Sequence, residues 1–255
     1  MMAEVPGTER NSSAGGIGAD DIEVVAHRGL TAHALENTLE AIREAVAAGF
    51  ATVEIDVRIT ADGIPVLMHD ADLSRLWNTD RTVAASSLDQ LREAAPLEAR
   101  FAASRVPTLE DALDTVAPGR LLIDLPDAPT AQATAVFVRD RAADPDLPAP
   151  AFCGAEEAMR AVRAALPDAE IWLTVTIPEL PSAPTIETVR PRSVNPYHGL
   201  VDPAYRDTAV QRGLAISCWT VDDPARAGEL ADLGVRAIIS NTPTDIRRAL
   251  QETAR

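Results

Sequence analysis

Residues 52–68 read TVEIDVRITADGIPVLM. Side chains alternate faces along a strand, so Val53, Ile55 and Val57 share one face and Glu54 and Asp56 the other. Asp62-Gly63 is a tight-turn dipeptide between two β-rich runs. A two-residue turn joins only antiparallel strands. Residues 65–68 are therefore read as the return arm of a hairpin, outside the parallel sheet to which 51–57 belongs.

That assignment settles a count. Further strands are expected at 23–27, 120–125, 149–153, 170–175, 191–195, 213–219 and 235–240. Amphipathic helices are expected at 36–48, 87–94, 108–116, 129–143, 155–165, 202–212, 223–233 and 243–253. Helix starts are marked by Thr108 with Asp111 three residues on, and by Asp202, Asp223 and Thr242, each followed by proline. Strands alternating with helices imply a parallel sheet covered by helices. With the hairpin arm set aside, the other strands close a (β/α)8 TIM barrel. Residues 21–255 then form one domain, with 71–107 as a helix-bearing excursion on the rim. Residues 1–20 are Gly- and Ser-rich without periodicity and read as a mobile leader.

Composition narrows the partners. Of 255 residues, 46% are hydrophobic but only 4% aromatic, so the core must rest on Ala, Val, Leu and Ile. The net charge of −16, with no lysine in the chain, disfavours a nucleic-acid or anionic-membrane partner. An anionic small molecule needs a local positive site. No apolar run approaches about 18 residues, so no stable membrane insertion is expected. No signal-peptide pattern is seen, and the default location is cytoplasmic. Cys153 and Cys218 read as buried small apolar residues rather than a disulfide framework. The oligomeric state is left open.

Barrel enzymes place their chemistry where the strand C-termini converge. The polar residues at those ends are His27, Glu54, Asp56, Asp124, Asn195 and Trp219, with Asn241 after the last strand. Glu54 and Asp56 face the barrel interior together, and Asp124 does the same in LLIDL. Carboxylates crowded there repel and lose hydration unless compensated. A divalent cation with oxygen ligands, Mg²⁺ or Ca²⁺, is the natural compensation. Folding the hairpin back brings His69 beside the carboxylates. Two imidazoles, His27 and His69, suit a general acid and base. Arg28 offers a planar fork to phosphate oxygens. Trp219 and Tyr197 are candidates for an apolar wall; His33 and His198 are weaker candidates.

These residues resemble a known family. HisArgGly (27–29), GluAsnThr (36–38), Glu-x-Asp-Val (54–57), TADGIPVLMHD (60–70), Arg75, VPTLED (106–111), WTVD (219–222) and AsnThrPro (241–243) are similar to the glycerophosphodiester phosphodiesterases. The resemblance runs in order from about 23 to 245. It implies a barrel of the phospholipase-C-like type with a short insertion after HisAsp. It implies His27 and His69 as the acid/base pair, Glu54 and Asp56 as metal ligands, and Arg28 on phosphate. The implied reaction hydrolyses glycerophosphodiesters to an alcohol and glycerol 3-phosphate with one Ca²⁺ or Mg²⁺, in lipid and glycerol metabolism. In the implied scheme the substrate's glycerol hydroxyl attacks phosphorus before water completes hydrolysis. The chain departs from the family at the third carboxylate, where Glu-x-Lys is usual and Asp124-x-Pro126 stands here. Two other readings stay open: a lyase or transferase releasing a cyclic phosphate, and a phosphoester-binding barrel without turnover.

Overall fold

The computed structural model describes residues 22–141 and 148–253. The expected leader, and the end of the helix expected at 129–143, lie outside the described residues. The chain runs β1 (Glu23–Ala26), α1 (Leu39–Ala47), β2 (Thr52–Ile59), β3 (Pro65–Leu67), α2 (Leu88–Arg92), α3 (Leu109–Thr115), β4 (Arg120–Leu125) and α4 (Ala128–Arg141). It continues through β5 (Ala151–Gly154), α5 (Glu156–Ala165), β6 (Glu170–Val175), α6 (Ala183–Val189), β7 (Ser193–Pro196) and α7 (Pro203–Gln211). It ends with β8 (Ala215–Cys218), α8 (Pro224–Asp232), β9 (Ala237–Ser240) and α9 (Pro243–Thr253). The strands follow the order β1-β9-β8-β7-β6-β5-β4-β2, and β1 pairs with β2 to close a parallel (β/α)8 barrel. β3 stands outside it, antiparallel to β2.

The hairpin forms, but its turn is longer than a two-residue one. Ile59 pairs with Pro65, so residues 60–64 make the loop. Thr60 organises it: its backbone N–H donates to Ile64 O at 3.0 Å, and its hydroxyl accepts from Ile64 N at 2.9 Å. Gly63 turns the chain at φ +81°. The return then lays Met68 N against Asp56 O at 3.0 Å, which places His69 at the barrel mouth.

The alternation read from the sequence holds. Val53, Ile55 and Val57 of β2 and Leu121, Ile123 and Leu125 of β4 pack outward against the helices. Inside the barrel, Val25, Leu122, Ala151, Trp172 and Ile239 form a separate apolar plug beneath the mouth. The rim segment 71–107 has its own small core of Leu73, Trp77, Val83, Leu91 and Phe101, built on Val66 and Met68.

Helix α6 was not expected from the sequence. Three prolines in IPELPSAP (177–184) hide it. Ser182 caps it, accepting from Thr185 N, and Pro184 sits in the first turn, where a missing N–H costs nothing.

Two glycines separate strain from steric clash. A Cβ at Gly63 would meet no atom within 4 Å, whereas at Gly29 (φ +88°) it would lie 2.6 Å from Ala41 Cβ and 2.7 Å from Ala41 C. Gly63→Ala should therefore cost about 1–2 kcal/mol through left-handed strain alone. Gly29→Ala should cost clearly more. Urea unfolding of both variants measures the difference; equal losses would contradict the clash.

Candidate active site

Eight of the residues expected from the sequence line one cavity of about 240 Å³ at the barrel mouth: His27, Arg28, Glu54, Asp56, His69, Asp124, Asn195 and Trp219; the candidates Tyr197 and Asn241 lie outside its lining. Glu54, Asp56 and Asp124 each bring an oxygen to within 4.8 Å of the others. Asp56 and Asp124 are register partners on adjacent strands, so the crowding is imposed by the sheet itself. Burial, then the neighbouring Asp56 and Asp124 carboxylates, pushes Glu54 well above the usual carboxylate range. Burial and Asp56 push Asp124 up to about 6. Hard oxygen donors whose ionised forms repel one another fit a divalent cation.

Arg28 supplies the protein's own compensation. Its backbone N–H donates to Glu54 Oε2 at 2.9 Å, its Nη1 to Glu36 Oε1 at 2.8 Å, and its Nε lies 3.1 Å from Asp56 Oδ2. The Nε–H is not aligned on that carboxylate and has no hydrogen-bond partner. These contacts need Arg28 in the left-handed region, at φ +57°. Asn37, itself at φ +55°, holds that turn: its N–H donates to Arg28 O at 3.0 Å, and its amide makes two bonds to Asp56, 2.7 Å to Oδ2 and 3.0 Å from the backbone N–H.

The two histidines have different neighbours. His27 Nδ1 lies 2.7 Å from Asn241 Oδ1, and its Nε2 lies 3.8 Å from Glu54 Oε2. Burial, then the Arg28 charge, lowers its pKa. His69 Nδ1 instead lies 2.7 Å from Asp70 Oδ1. Asp70 accepts from Arg75 Nε at 2.5 Å, and Arg75 Nη2 donates to Glu36 Oε1 at 2.7 Å. Against burial, the Arg75 and Arg28 contacts hold Glu36 below the usual carboxylate range, and the hydrogen bond with His69, followed by that from Arg75, does the same for Asp70. A continuous chain of ion pairs thus runs from Arg28 through Glu36 and Arg75 to Asp70, which hydrogen-bonds His69.

The wall opposite is less charged. Asn195 is buried, its Oδ1 accepting from Ser217 Oγ at 3.1 Å. The Trp219 indole N–H donates to Asn195 O at 3.0 Å, so the indole meets the cavity with its ring and not its N–H. Tyr197 packs edge-on against Trp219 at 6.0 Å between centroids.

The sequence matches the glycerophosphoryl diester phosphodiesterase family across residues 27–245. The chain belongs to that family. A solved structure of an Oleispira antarctica phosphodiesterase, in complex with the product sn-glycerol-3-phosphate, superposes with a TM-score of 0.81 at 26% identity, covering 90% of this chain and 96% of that one. Among curated relatives, glycerophosphodiester phosphodiesterase 1 of Bos taurus is 40% identical over 99 residues, which is 37% of this chain and 30% of the bovine protein. A glycerophosphodiester phosphodiesterase of Arabidopsis thaliana is 24% identical over 243 residues, 90% of this chain and 73% of the plant protein. The match to the bovine protein thus spans under a third of that relative's length.

Behind the groups that face the cavity stand residues to which the sequence attached no individual role. Glu36, Asn37, Asp70 and Asn241 touch the site residues and Asp222 touches Asn241, through side chains brought from four separate loops; of these only Asn241 was expected at the mouth, with no role attached. Glu36 and Asn37 were visible only as part of GluAsnThr, with no role attached. His33 is exposed on its loop, and His198 lies in a 3-10 turn beside Tyr197, outside the cavity lining. Both cysteines are free and buried, and Cys153 hydrogen-bonds Asp124. Among the described residues no helix is long and apolar enough to cross a membrane.

The raised Asp124 has a consequence for stability. Between the ordinary value of 3.8 and about 6, the folded protein keeps a proton that the unfolded chain has lost. Stability therefore falls as pH rises through that window, and the cost is complete above it. In chelator, Asp124→Asn should be more stable than the parent at pH 8 by at most about 3 kcal/mol. The gap should close as pH falls toward 4. Urea unfolding in EDTA at several pH values checks this; a variant no more stable at pH 8 would contradict it.

Proposed function

We propose that this chain is a metal-dependent hydrolase of glycerophosphodiesters, releasing an alcohol and glycerol 3-phosphate. The observation that carries the reading is the convergence of three carboxylates, one arginine and two imidazoles on a single cavity. Glu54, Asp56 and Asp124 would hold the cation, Ca²⁺ or Mg²⁺. When bound, it supplies the positive charge that draws electron density from the phosphoryl oxygens.

The rest follows from the chain's own side chains. Arg28 presents the guanidinium nearest those carboxylates and takes a phosphoryl oxygen. His27 and His69 both engage their Nδ1 with a partner, which leaves Nε2 for proton transfer. His27, next to a neutral amide and with a lowered pKa, is suited to take the proton from the attacking hydroxyl. His69, beside the Asp70 carboxylate, has charge compensation at hand for an imidazolium and donates to the leaving alkoxide. When the attacking hydroxyl is the substrate's own, His69 then takes a proton from the water that opens the cyclic phosphate, and His27 returns its proton to the released glycerol oxygen. The Trp219 ring and buried Asn195 shape the wall against which the organic part of the substrate lies.

Release of glycerol 3-phosphate from glycerophosphodiesters, followed enzymatically and by phosphorus NMR, tests the proposal. Activity should be abolished by EDTA and restored by Ca²⁺ or Mg²⁺. His27→Ala and His69→Ala should each lose about 10²–10⁴-fold in kcat. Full activity in either variant would remove that histidine from the mechanism. A cyclic phosphate as the end product would replace hydrolysis by a lyase reaction.

A further inference from the structure

We infer that Asn241 and Asp222 are positioning residues that fix the tautomer of His27, so that its Nε2 is the bare nitrogen facing the carboxylates. The inference rests on the reading of His27 as an acid/base group.

Asp222, held below the usual carboxylate range against its burial by bonds from Asn241 and Ser240, is ionised and can only accept. It lies 2.8 Å from Asn241 Nδ2 and 2.8 Å from Asn241 N, and accepts from Ser240 Oγ at 3.1 Å. The side-chain NH₂ of Asn241 must therefore face Asp222. That orients its Oδ1 toward His27 Nδ1, 2.7 Å away. An amide oxygen accepts only, so the proton sits on Nδ1. Nε2, 3.8 Å from Glu54 Oε2, is left with its lone pair.

The backbone makes this lock rigid. His27 N donates to Ser240 O at 2.9 Å, continuing the β1–β9 ladder that pairs Ala26 with Ser240. His27 and Asn241 thus leave adjacent strands at one level, and Asp222 comes from the loop after β8. Without the pair, either imidazole nitrogen could carry the proton, and the form with Nε2–H could not act as a base toward the cavity.

The test reads the tautomer directly. Long-range ¹H–¹⁵N correlation of the histidine rings in the full-length protein should show His27 as Nδ1–H. Asn241→Leu should move it to a mixture containing Nε2–H and lower kcat by about 100-fold, with KM within about threefold. The exchange N241D/D222N restores an acceptor at 241 and a donor at 222, and should recover the Nδ1–H form and most of kcat. If Asn241→Leu does not fold, Asp222→Asn, which frees the amide to rotate, carries the same expectation with a smaller loss. A ring that stays Nδ1–H in these variants overturns the inference and leaves the acid/base reading intact. A ring that shifts while kcat is unchanged overturns the acid/base reading of His27.

Discussion

Three carboxylates held against one another inside a barrel are the constraint to which the rest of the mouth answers. The sheet register sets Asp56 opposite Asp124, and Glu54 lies two residues back on the same face of β2. Like charges at this separation, removed from water, destabilise the fold unless positive charge is close. The backbone gives way to provide it. Arg28 and Asn37 both adopt left-handed conformations, which non-glycine residues accept only when surrounding contacts over-determine them. Here those contacts are the ones each makes to Glu54, Asp56 and Glu36.

The same demand explains the rim segment. Glu36 sits between Arg28 and Arg75, and Arg75 reaches on to Asp70. Arg75 comes from the excursion after HisAsp, whose separate core of Leu73, Trp77 and Leu91 anchors it. Arg58 of β2 adds a second tie, donating to His69 O through Nε at 2.9 Å and Nη2 at 2.6 Å. His69 stands at the end of a short hairpin arm, and a residue there would otherwise take its position from one flexible loop. The ion-pair chain and the small core instead couple it to the turn that bears Arg28. The excursion is thus a brace for one imidazole, built on a different principle from the Asn241 amide behind the other.

The barrel was legible because period-two alternation and turn chemistry are local properties. ThrValGluIleAspVal shows which side chains face inward without any knowledge of the fold, and the hairpin follows from the short DG-centred connection. Even the error there, five loop residues in place of two, left His69 in the expected place, because antiparallel return is what brings it back. Helix α6 was hidden by three prolines in IPELPSAP, one of which occupies its first turn. The supporting residues were hidden for a different reason. Asn241 lies 214 positions from His27 in the chain, and nothing local in AsnThrPro reports which imidazole it will meet. Such pairs exist only once the barrel closes and its first and last strands become neighbours.

Closure also sets the surroundings of Asp124. Asp124 meets Asp56 on one side and Cys153 on the other in the strand register. The Cys153 thiol hydrogen-bonds it, and burial together with the three nearby carboxylates pushes that thiol up, so it stays protonated and a donor. Across the lining of the cavity the charge does not balance: Glu54, Asp56 and Asp124 face the single guanidinium of Arg28, itself shared with Glu36. A chain without lysine has no longer cationic arm to reach in from Pro126. The positive charge that this mouth lacks is what one divalent cation carries, and the carboxylate oxygens already stand close enough together to receive it.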